Sequence, residues 1–215
     1  MILWPYDERG EPGDFFYARY GHPTVAEAEA RLGELDGGAA VLFPSGTGAA
    51  TSLALATLRP GETIALAEGA YFGTSRLFET LSLWDLRHVE FDQTGSPPVG
   101  AQLVWLEAPS NPFLTMPDLE SAAAYPAPVV VDSTVATPFG LRPLEHGADY
   151  VLHSATKYLG GHDDVLLGVV ASLVGTMTTV VAGGLATIGI ALSWTRLFPS
   201  LARMGRLEDL RPEPV

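Results

Sequence analysis

Short apolar segments rich in β-branched residues alternate along this chain with longer segments that carry a helical pattern of apolar positions. The short segments predict strands at Ala39–Phe43, Thr63–Ala67, Arg87–Phe91, 102–106, 129–131 and 150–153. The longer ones predict helices over 24–35, 47–58 and 74–83, the first capped by Thr24 with Glu27 in the capping-box position. This alternation predicts an α/β domain with a doubly wound, mostly parallel sheet that gathers ligands at its strand ends.

The C-terminal part of the chain departs from this pattern. Residues 165–195 contain no charged residue, and a run of that length is long enough in principle to span a bilayer. Glycines and threonines interrupt the run, and its first part, 165–174, continues naturally as a buried strand of the same sheet. We therefore favour a soluble core segment over membrane attachment. The chain divides into a short arm (1–20), a large domain (21–175) and a divergent apolar tail (176–215).

Composition narrows the classes of function. With 215 residues, 47% hydrophobic and 17% charged, the chain fits one main folded domain and excludes general disorder. A net charge of −13 argues against nucleic acid and anionic membrane surfaces as partners. The absence of cysteine excludes disulfides and thiolate chemistry, and the scattered histidines show no metal-ligand spacing. The first nine residues lack the features of a signal peptide, so we expect a cytoplasmic protein.

Lys157 is the only lysine among twelve basic residues. It follows the hydroxyl residues Ser154 and Thr156 after an apolar run and precedes a glycine turn. A lysine amine at the end of a buried strand can lose its proton by desolvation and attack a carbonyl, which is what a Schiff base with an aldehyde cofactor requires. The alternative is an ordinary solvated surface cation.

Four further segments at predicted strand ends or helix starts supply groups that a phosphorylated pyridine aldehyde needs. The glycine-containing turn at 44–48 leads into a helix N-terminus, where phosphate binds readily. Asp132 ends a strand and could keep the pyridine nitrogen protonated, while Tyr71 could stack on the ring and Asn111 could donate to a ring oxygen. Each of these residues has a structural alternative as a turn, a cap or core.

Taken in order, these segments resemble the Cys/Met-metabolism family of pyridoxal 5′-phosphate enzymes, which includes cystathionine γ-synthase, cystathionine lyases and methionine γ-lyase. The matching motifs lie at residues 17–24, 45–47, 71–77, 107–112, 131–134 and 154–168. The chain departs from the family at Ser133, where asparagine is usual, and at Asp163, which stands between His162 and Asp164 where serine is usual. We treat His162 and Glu107 as structural.

The resemblance implies the large domain of the fold-type I transferases, with the small C-terminal domain missing or altered. It implies that Lys157 forms the Schiff base and moves protons, that Asp132 pairs with the pyridinium, that Tyr71 stacks and assists proton transfer, and that Asn111 contacts the ring hydroxyl. It also implies a set of phosphate contacts: Gly46, Thr47, Ser154 and Thr156, with Tyr17 and Arg19 reaching in from a neighbouring subunit. A shared site of this kind implies a homodimer or homotetramer.

The activity that the resemblance implies is β- or γ-elimination or γ-replacement on sulfur-containing amino acids or activated homoserine esters, with lyase and synthase both open. Family members are nearly twice as long and carry the arginine for the substrate carboxylate in a C-terminal domain. This chain therefore resembles a truncated member. The alternative hypothesis is a remnant that binds the cofactor without turnover, or that serves only as an interaction partner.

Overall fold

The computed structural model describes residues 8–11, 13, 15, 21–162 and 164–173. The described strands are β1 Ala39–Phe43, β2 Thr63–Ala67, β3 Arg87–Phe91, β4 Leu103–Glu107, β5 Val129–Asp132, β6 Tyr150–Ser154 and β7 Gly168–Ser172. The helices are α1 Pro23–Asp36, α2 Gly46–Thr57, α3 Phe72–Leu81, α4 Leu119–Ala123 and α5 Thr137–Gly140, with short 3₁₀ turns at Ser82–Trp84 and Pro143–His146. The strands β1 to β6 are all predicted from the sequence, and their ends lie within one residue of the prediction.

One mixed sheet contains all of these strands, in the order β1-β7-β6-β5-β4-β2-β3. The four neighbouring strands from β6 to β2 are parallel, as is the β2–β3 pair. Within the described residues only β7 runs in the opposite direction, and it pairs with both β1 and β6. The prediction of a mostly parallel sheet is confirmed.

β7 also accounts for the first part of the uncharged run, because Gly168–Ser172 is buried at every position. Beyond residue 173 that run lies outside the described residues. No helix in the described part of the chain has the length and apolarity needed to cross a membrane.

Apolar side chains cover both faces of the sheet. On β4, Leu103 and Trp105 face a cluster that includes residues of α2 and α3, while Val104 and Leu106 face a second cluster with Ala122 of α4. Trp105 also meets Phe78 of α3 edge to face, with ring centroids 5.1 Å apart. Because both faces are buried, strands such as β4 read as continuous apolar runs in the sequence.

The helix ends differ in part from the prediction. α1 begins at Pro23, and its N-cap is His22, whose Nδ1 accepts the N–H of Thr24 at 3.2 Å. The proposed Thr24 cap is wrong, because proline suits the first helical position and the cap therefore lies one residue before it. Glu27 does not close a capping box and instead pairs with Arg31 at 2.6 Å.

Candidate cofactor site

The predicted site residues follow the carboxyl ends of neighbouring parallel strands. Tyr71 comes after β2, Asn111 after β4, Asp132 ends β5 and Lys157 comes after β6. Since β6, β5, β4 and β2 are consecutive in the sheet, their carboxyl ends lie along one edge. The fold therefore gathers at one edge residues that are widely separated in the sequence, which is where ligands bind in such sheets.

Asp132 is the buried acidic group of this edge. Its Oδ1 accepts the N–H of Thr134 at 3.0 Å and the Thr134 hydroxyl at 2.5 Å. Burial raises the pKa of Asp132, while the bonds from Thr134 and the nearby His153 lower it. A cationic ring nitrogen placed against this carboxylate would offset the cost of burying its charge.

Thr134 joins the ends of two strands, a role that the sequence analysis did not assign to it. Its Oγ1 donates to Asp132 and accepts the backbone N–H of Ser154 at 2.8 Å. The signal in the sequence is the spacing of an aspartate two residues before a threonine at a strand end, since an aspartate side chain commonly bonds the backbone two positions on.

A buried histidine–aspartate pair lies behind Asp132. His153 Nε2 is 3.0 Å from both carboxylate oxygens of Asp36, and His153 Nδ1 is 3.2 Å from the carbonyl oxygen of Ser133. Both side chains are 1% exposed. Asp36 ends α1, so the pair fastens this helix to β6, 117 positions further along the chain. Nothing local in the sequence predicts a pairing over that distance.

The start of α2 meets the end of β6 closely enough to form a phosphate cradle. A Cβ on Gly46 would lie 2.7 Å from Ser154 Cβ and 2.8 Å from Ser154 Oγ, so only glycine fits there. Within the described residues, the N–H groups of Gly46 and Thr47 and the Ser154 hydroxyl have no protein hydrogen-bond partner. Unpaired donors at a helix N-terminus suit an anion such as phosphate.

The other three predicted phosphate contacts are Thr156, Tyr17 and Arg19. The Thr156 hydroxyl accepts the N–H of Leu167 at 2.9 Å and donates to its carbonyl oxygen at 3.3 Å. These bonds join the turn that contains Lys157 to the segment before β7. A phosphate contact by Thr156 would have to replace the bond that it donates, so that assignment stays a prediction. Tyr17 and Arg19 lie outside the described residues.

Lys157 is exposed in the described structure. The strand β6 ends at Ser154, and the chain turns there before it reaches Lys157. The turn is closed by bonds from Lys157 N–H to Ser154 O at 3.0 Å and from Gly161 N–H to Lys157 O at 2.7 Å. The described residues leave the Lys157 amine in solvent.

Tyr71 and Asn111 also reach solvent. Tyr71 is 41% exposed, and its ring lies over Gly73, where a Cβ would be 3.0 Å from Tyr71 Cζ. Asn111 lies in an exposed loop closed by the backbone N–H of Ser110, which donates to the Thr115 carbonyl oxygen at 3.0 Å. Neither polar side-chain group bonds to another described residue, so both are available to a ligand.

Glu107 lies between these positions and bonds to the backbone of Tyr71. It pairs with Asp132 in the register of β4 and β5. Burial and the charge of Asp132 raise the pKa of Glu107 to about 7, against the opposing effect of bonds from the backbone N–H groups of Tyr71 and Asn111. No group of three or more histidine, aspartate or glutamate residues within the described part of the chain is arranged to hold a metal ion.

Comparison with known proteins decides the family. A family model described as "Cys/Met metabolism PLP-dependent enzyme", where PLP is pyridoxal phosphate, matches residues 5–193. The chain belongs to this family. Its resemblance to the family, inferred above from motifs, is therefore confirmed.

Curated relatives and solved structures agree with the family assignment. The chain is 41% identical over 171 residues to cystathionine gamma-synthase of Mycobacterium tuberculosis (strain ATCC 25618 / H37Rv), with 74% of this chain and 44% of that protein covered. It is 39% identical over 174 residues to L-methionine gamma-lyase of Pseudomonas putida, with 75% and 44% covered. The crystal structure of cystathionine gamma synthase from Xanthomonas oryzae pv. oryzae in complex with aminoacrylate and cysteine superimposes with a TM-score of 0.76 at 33% identity, with 86% of this chain and 52% of that one covered. The chain thus spans about half the length of the relatives it matches.

Proposed function

We propose that this chain binds PLP covalently through the Lys157 amine and acts on sulfur-containing amino acids or activated homoserine esters, by β- or γ-elimination or γ-replacement. The observation that carries the proposal is the single sheet edge that holds the lysine, the buried Asp132 and the free donors at the start of α2. The substrate class follows the printed names of the relatives, a cystathionine gamma-synthase and an L-methionine gamma-lyase.

Each group at the edge has a role in this proposal. When bound, PLP supplies an electron sink that makes the α-proton of an amino acid acidic. The Asp132 carboxylate holds a proton at the ring nitrogen, and the N–H groups of Gly46 and Thr47 with the Ser154 hydroxyl hold the phosphate. The Lys157 amine takes up the α-proton, and the Tyr71 hydroxyl passes a proton to the leaving group.

The proposal extends to assembly and location. We propose a homodimer or homotetramer in which Tyr17 and Arg19 complete the phosphate site of a neighbouring subunit. Thr156 completes the phosphate contacts and Asn111 the ring contacts. A cytoplasmic location and the division of the chain at residues 20 and 175 remain predictions from the sequence.

An absorption spectrum of the purified chain with PLP tests the proposal. We expect a visible band that sodium borohydride abolishes, with the added mass mapped to Lys157. Separate additions of L-cysteine, L-cystathionine and O-acetylhomoserine should shift the band, and the compound that shifts it most indicates lyase or synthase activity.

Lys157→Ala should abolish the adduct completely, because the chain has no other lysine. Lys157→Arg is the matched control, since it keeps the charge and cannot form the adduct. An adduct of the same yield in either variant would refute the assignment.

A second candidate is a protein that binds the cofactor without turnover. The exposure of Lys157 and Tyr71 in the described structure favours it, because active sites that expel water strengthen the electrostatic interactions that assist proton transfer. A band that responds to none of the three compounds, from a chain whose adduct maps to Lys157, would select this candidate.

A further inference from the structure

Two loops at the exposed side of the site meet at one carboxylate. Glu107 Oε2 accepts the backbone N–H of Tyr71 at 2.8 Å, although the two residues are 36 positions apart. The backbone N–H of Asn111 lies near enough to the same carboxylate to lower its pKa. Tyr71 follows β2 and Asn111 follows β4. One side chain therefore bonds to the backbone of Tyr71 and lies near the backbone N–H of Asn111, the two residues that we propose as ring contacts.

Gln93 holds the backbone of Glu107 in turn. Its Oε1 accepts the Glu107 N–H at 3.0 Å, and its Nε2 donates to the Glu107 carbonyl oxygen at 2.9 Å. The ladder between β2 and β4 ends at the pair Leu66 and Trp105, so the Gln93 side chain supplies the pairing that a longer β2 would have given to Glu107. With 2% of its surface exposed, Gln93 is a fixed part of the core.

The same glutamine also fixes the loop that contains Asn111. Gln93 Nε2 donates to the Thr115 carbonyl oxygen at 3.0 Å, and the Gln93 carbonyl oxygen accepts the Asp118 N–H at 2.8 Å. Hydrogen bonds from Gln93 thus hold the segment 108–118 near both of its ends. The position of Asn111 within this loop is set by Glu107 and Gln93 together.

A single hydrogen-bond acceptor at position 107 would not require a glutamate. A glutamine at position 107 could accept a backbone N–H without placing a second carboxylate beside the buried Asp132. Two acceptor oxygens on one rigid group can serve both backbone donors at once, whereas a glutamine offers only one acceptor oxygen. A carboxylate can therefore hold both loops at the same time.

We infer that Glu107, held by Gln93, is a positioning residue that sets where Tyr71 and Asn111 stand relative to the cofactor ring. The inference rests on the proposed function for its consequence, since it assumes that a ring binds between these loops. The anchoring itself is present in the protein without the cofactor, and can be measured there.

The test compares Glu107→Leu and Glu107→Gln in the full chain. Amide hydrogen exchange of Tyr71 and Asn111 is measured without cofactor, and the dissociation constant for PLP is measured by absorbance. In Glu107→Leu both amides should exchange at least about tenfold faster, and PLP should bind roughly tenfold more weakly, since a hydrogen bond to a charged group is worth at least that factor. Glu107→Gln should restore protection at one of the two amides and part of the affinity. The control is Glu90→Gln on the exposed face of β3, which should match the wild type in both measurements.

Each result decides the inference. Wild-type exchange rates at both amides in Glu107→Leu, or a PLP dissociation constant within about twofold of the wild type, would overturn it. If Glu107→Leu does not fold, Glu107→Gln decides through the loss of protection at one amide. If the wild-type chain forms no adduct at Lys157, the proposed function fails separately, and the exchange rates of the apo protein still decide whether Glu107 anchors the two loops.

Discussion

The floor and the rim of the candidate site are built from different kinds of contact. The floor consists of Asp132, Thr134 and His153 at the carboxyl ends of β5 and β6. Thr134 bonds to Asp132 and to the N–H of Ser154, and His153 bonds to the carbonyl oxygen of Ser133. The rim consists of Tyr71, Asn111 and Lys157, whose side chains reach solvent and bond to no described residue through their polar ends. The described residues satisfy the polar groups of the floor, whereas they leave those of the rim available to a ligand. Changes in the floor should therefore cost stability, and changes in the rim should cost chemistry.

The largest effect should come from a substitution that breaks the packing around the floor. A Cβ on Gly168 would lie 2.6 Å from the carbonyl carbon of Ser45 and 2.9 Å from Ala49 Cβ. Gly168→Ala must push α2 away from β7, and we expect it to lower the free energy of unfolding by roughly 3 kcal/mol. The control is Gly140→Ala, whose nearest contact would be 3.6 Å from Ala136 Cβ. Urea denaturation measures both variants, and equal stability would contradict the close approach of α2 to β7.

The two carboxylates of the site should make the free energy of unfolding depend on pH. The pKa of Glu107 is raised to about 7, above its ordinary value of 4.5, so the folded apo chain holds more protons than the unfolded chain between these pH values. The free energy of unfolding should therefore fall as the pH rises from 5 to 8, by about 2 kcal/mol for this group. The raised pKa of Asp132 acts in the same direction.

Denaturation of Glu107→Gln across the same pH range measures the Glu107 contribution. The slope should flatten, because the glutamine does not titrate. The surface variant Glu90→Gln should keep the wild-type slope. A slope unchanged in Glu107→Gln would show that Glu107 does not titrate in this range.

Thr134→Val tests the bond that joins the two floor strands. The substitution keeps the shape of the side chain but removes one donor to Asp132 and the acceptor for the Ser154 N–H. We expect a loss of about 1 to 2 kcal/mol in the free energy of unfolding. Thr80→Val removes a hydroxyl that only bonds to the Arg76 carbonyl oxygen of its own helix, and it should cost much less. Similar losses in the two variants would mean that the Thr134 bonds stabilise the fold no more than the Thr80 hydroxyl does.

Tyr71→Phe should change stability least. The Tyr71 hydroxyl has no partner among the described residues, so the free energy of unfolding should stay within about 0.5 kcal/mol of the wild type. The rate of leaving-group expulsion should nevertheless fall by about 100-fold, because a positioned proton donor contributes on that order. Thermal melting and product release under single-turnover conditions measure the two effects. A destabilised variant would place Tyr71 in the floor and not in the rim.

The sequence predicted the strands well because both faces of the sheet are buried. In β4 and β5 every position is buried, so the apolar run itself marks the strand and its ends. The short helices α4 and α5 were not predicted, since four or five residues hold too little of a helical period to be recognised. The antiparallel direction of β7 depends on tertiary pairing and leaves no mark in its own residues.

For the site, the sequence identified the groups with distinctive chemistry and missed those that act through position. Lys157 and Asp132 stand out by type and context, and the structure brings them to the same sheet edge. The exposure of Lys157 depends on the turn after β6, which the apolar run does not define. The roles of Gln93 and Asp36 arise from contacts between distant parts of the chain, which no local pattern records.

The place of β7 in the sheet bears on the order in which the protein can assemble. β1 lies at one edge of the sheet and pairs only with β7 among the described strands. Ala39 can therefore form its sheet pairing only after Ser172 has been synthesised. A growing chain emerging from the ribosome can close β2 to β6 before Gly168 has been synthesised, but it cannot yet dock β1. The phosphate cradle follows β1 directly, so this half of the site should be the last to form during synthesis. Translation would therefore have to pass residue 172 before the chain could capture the cofactor.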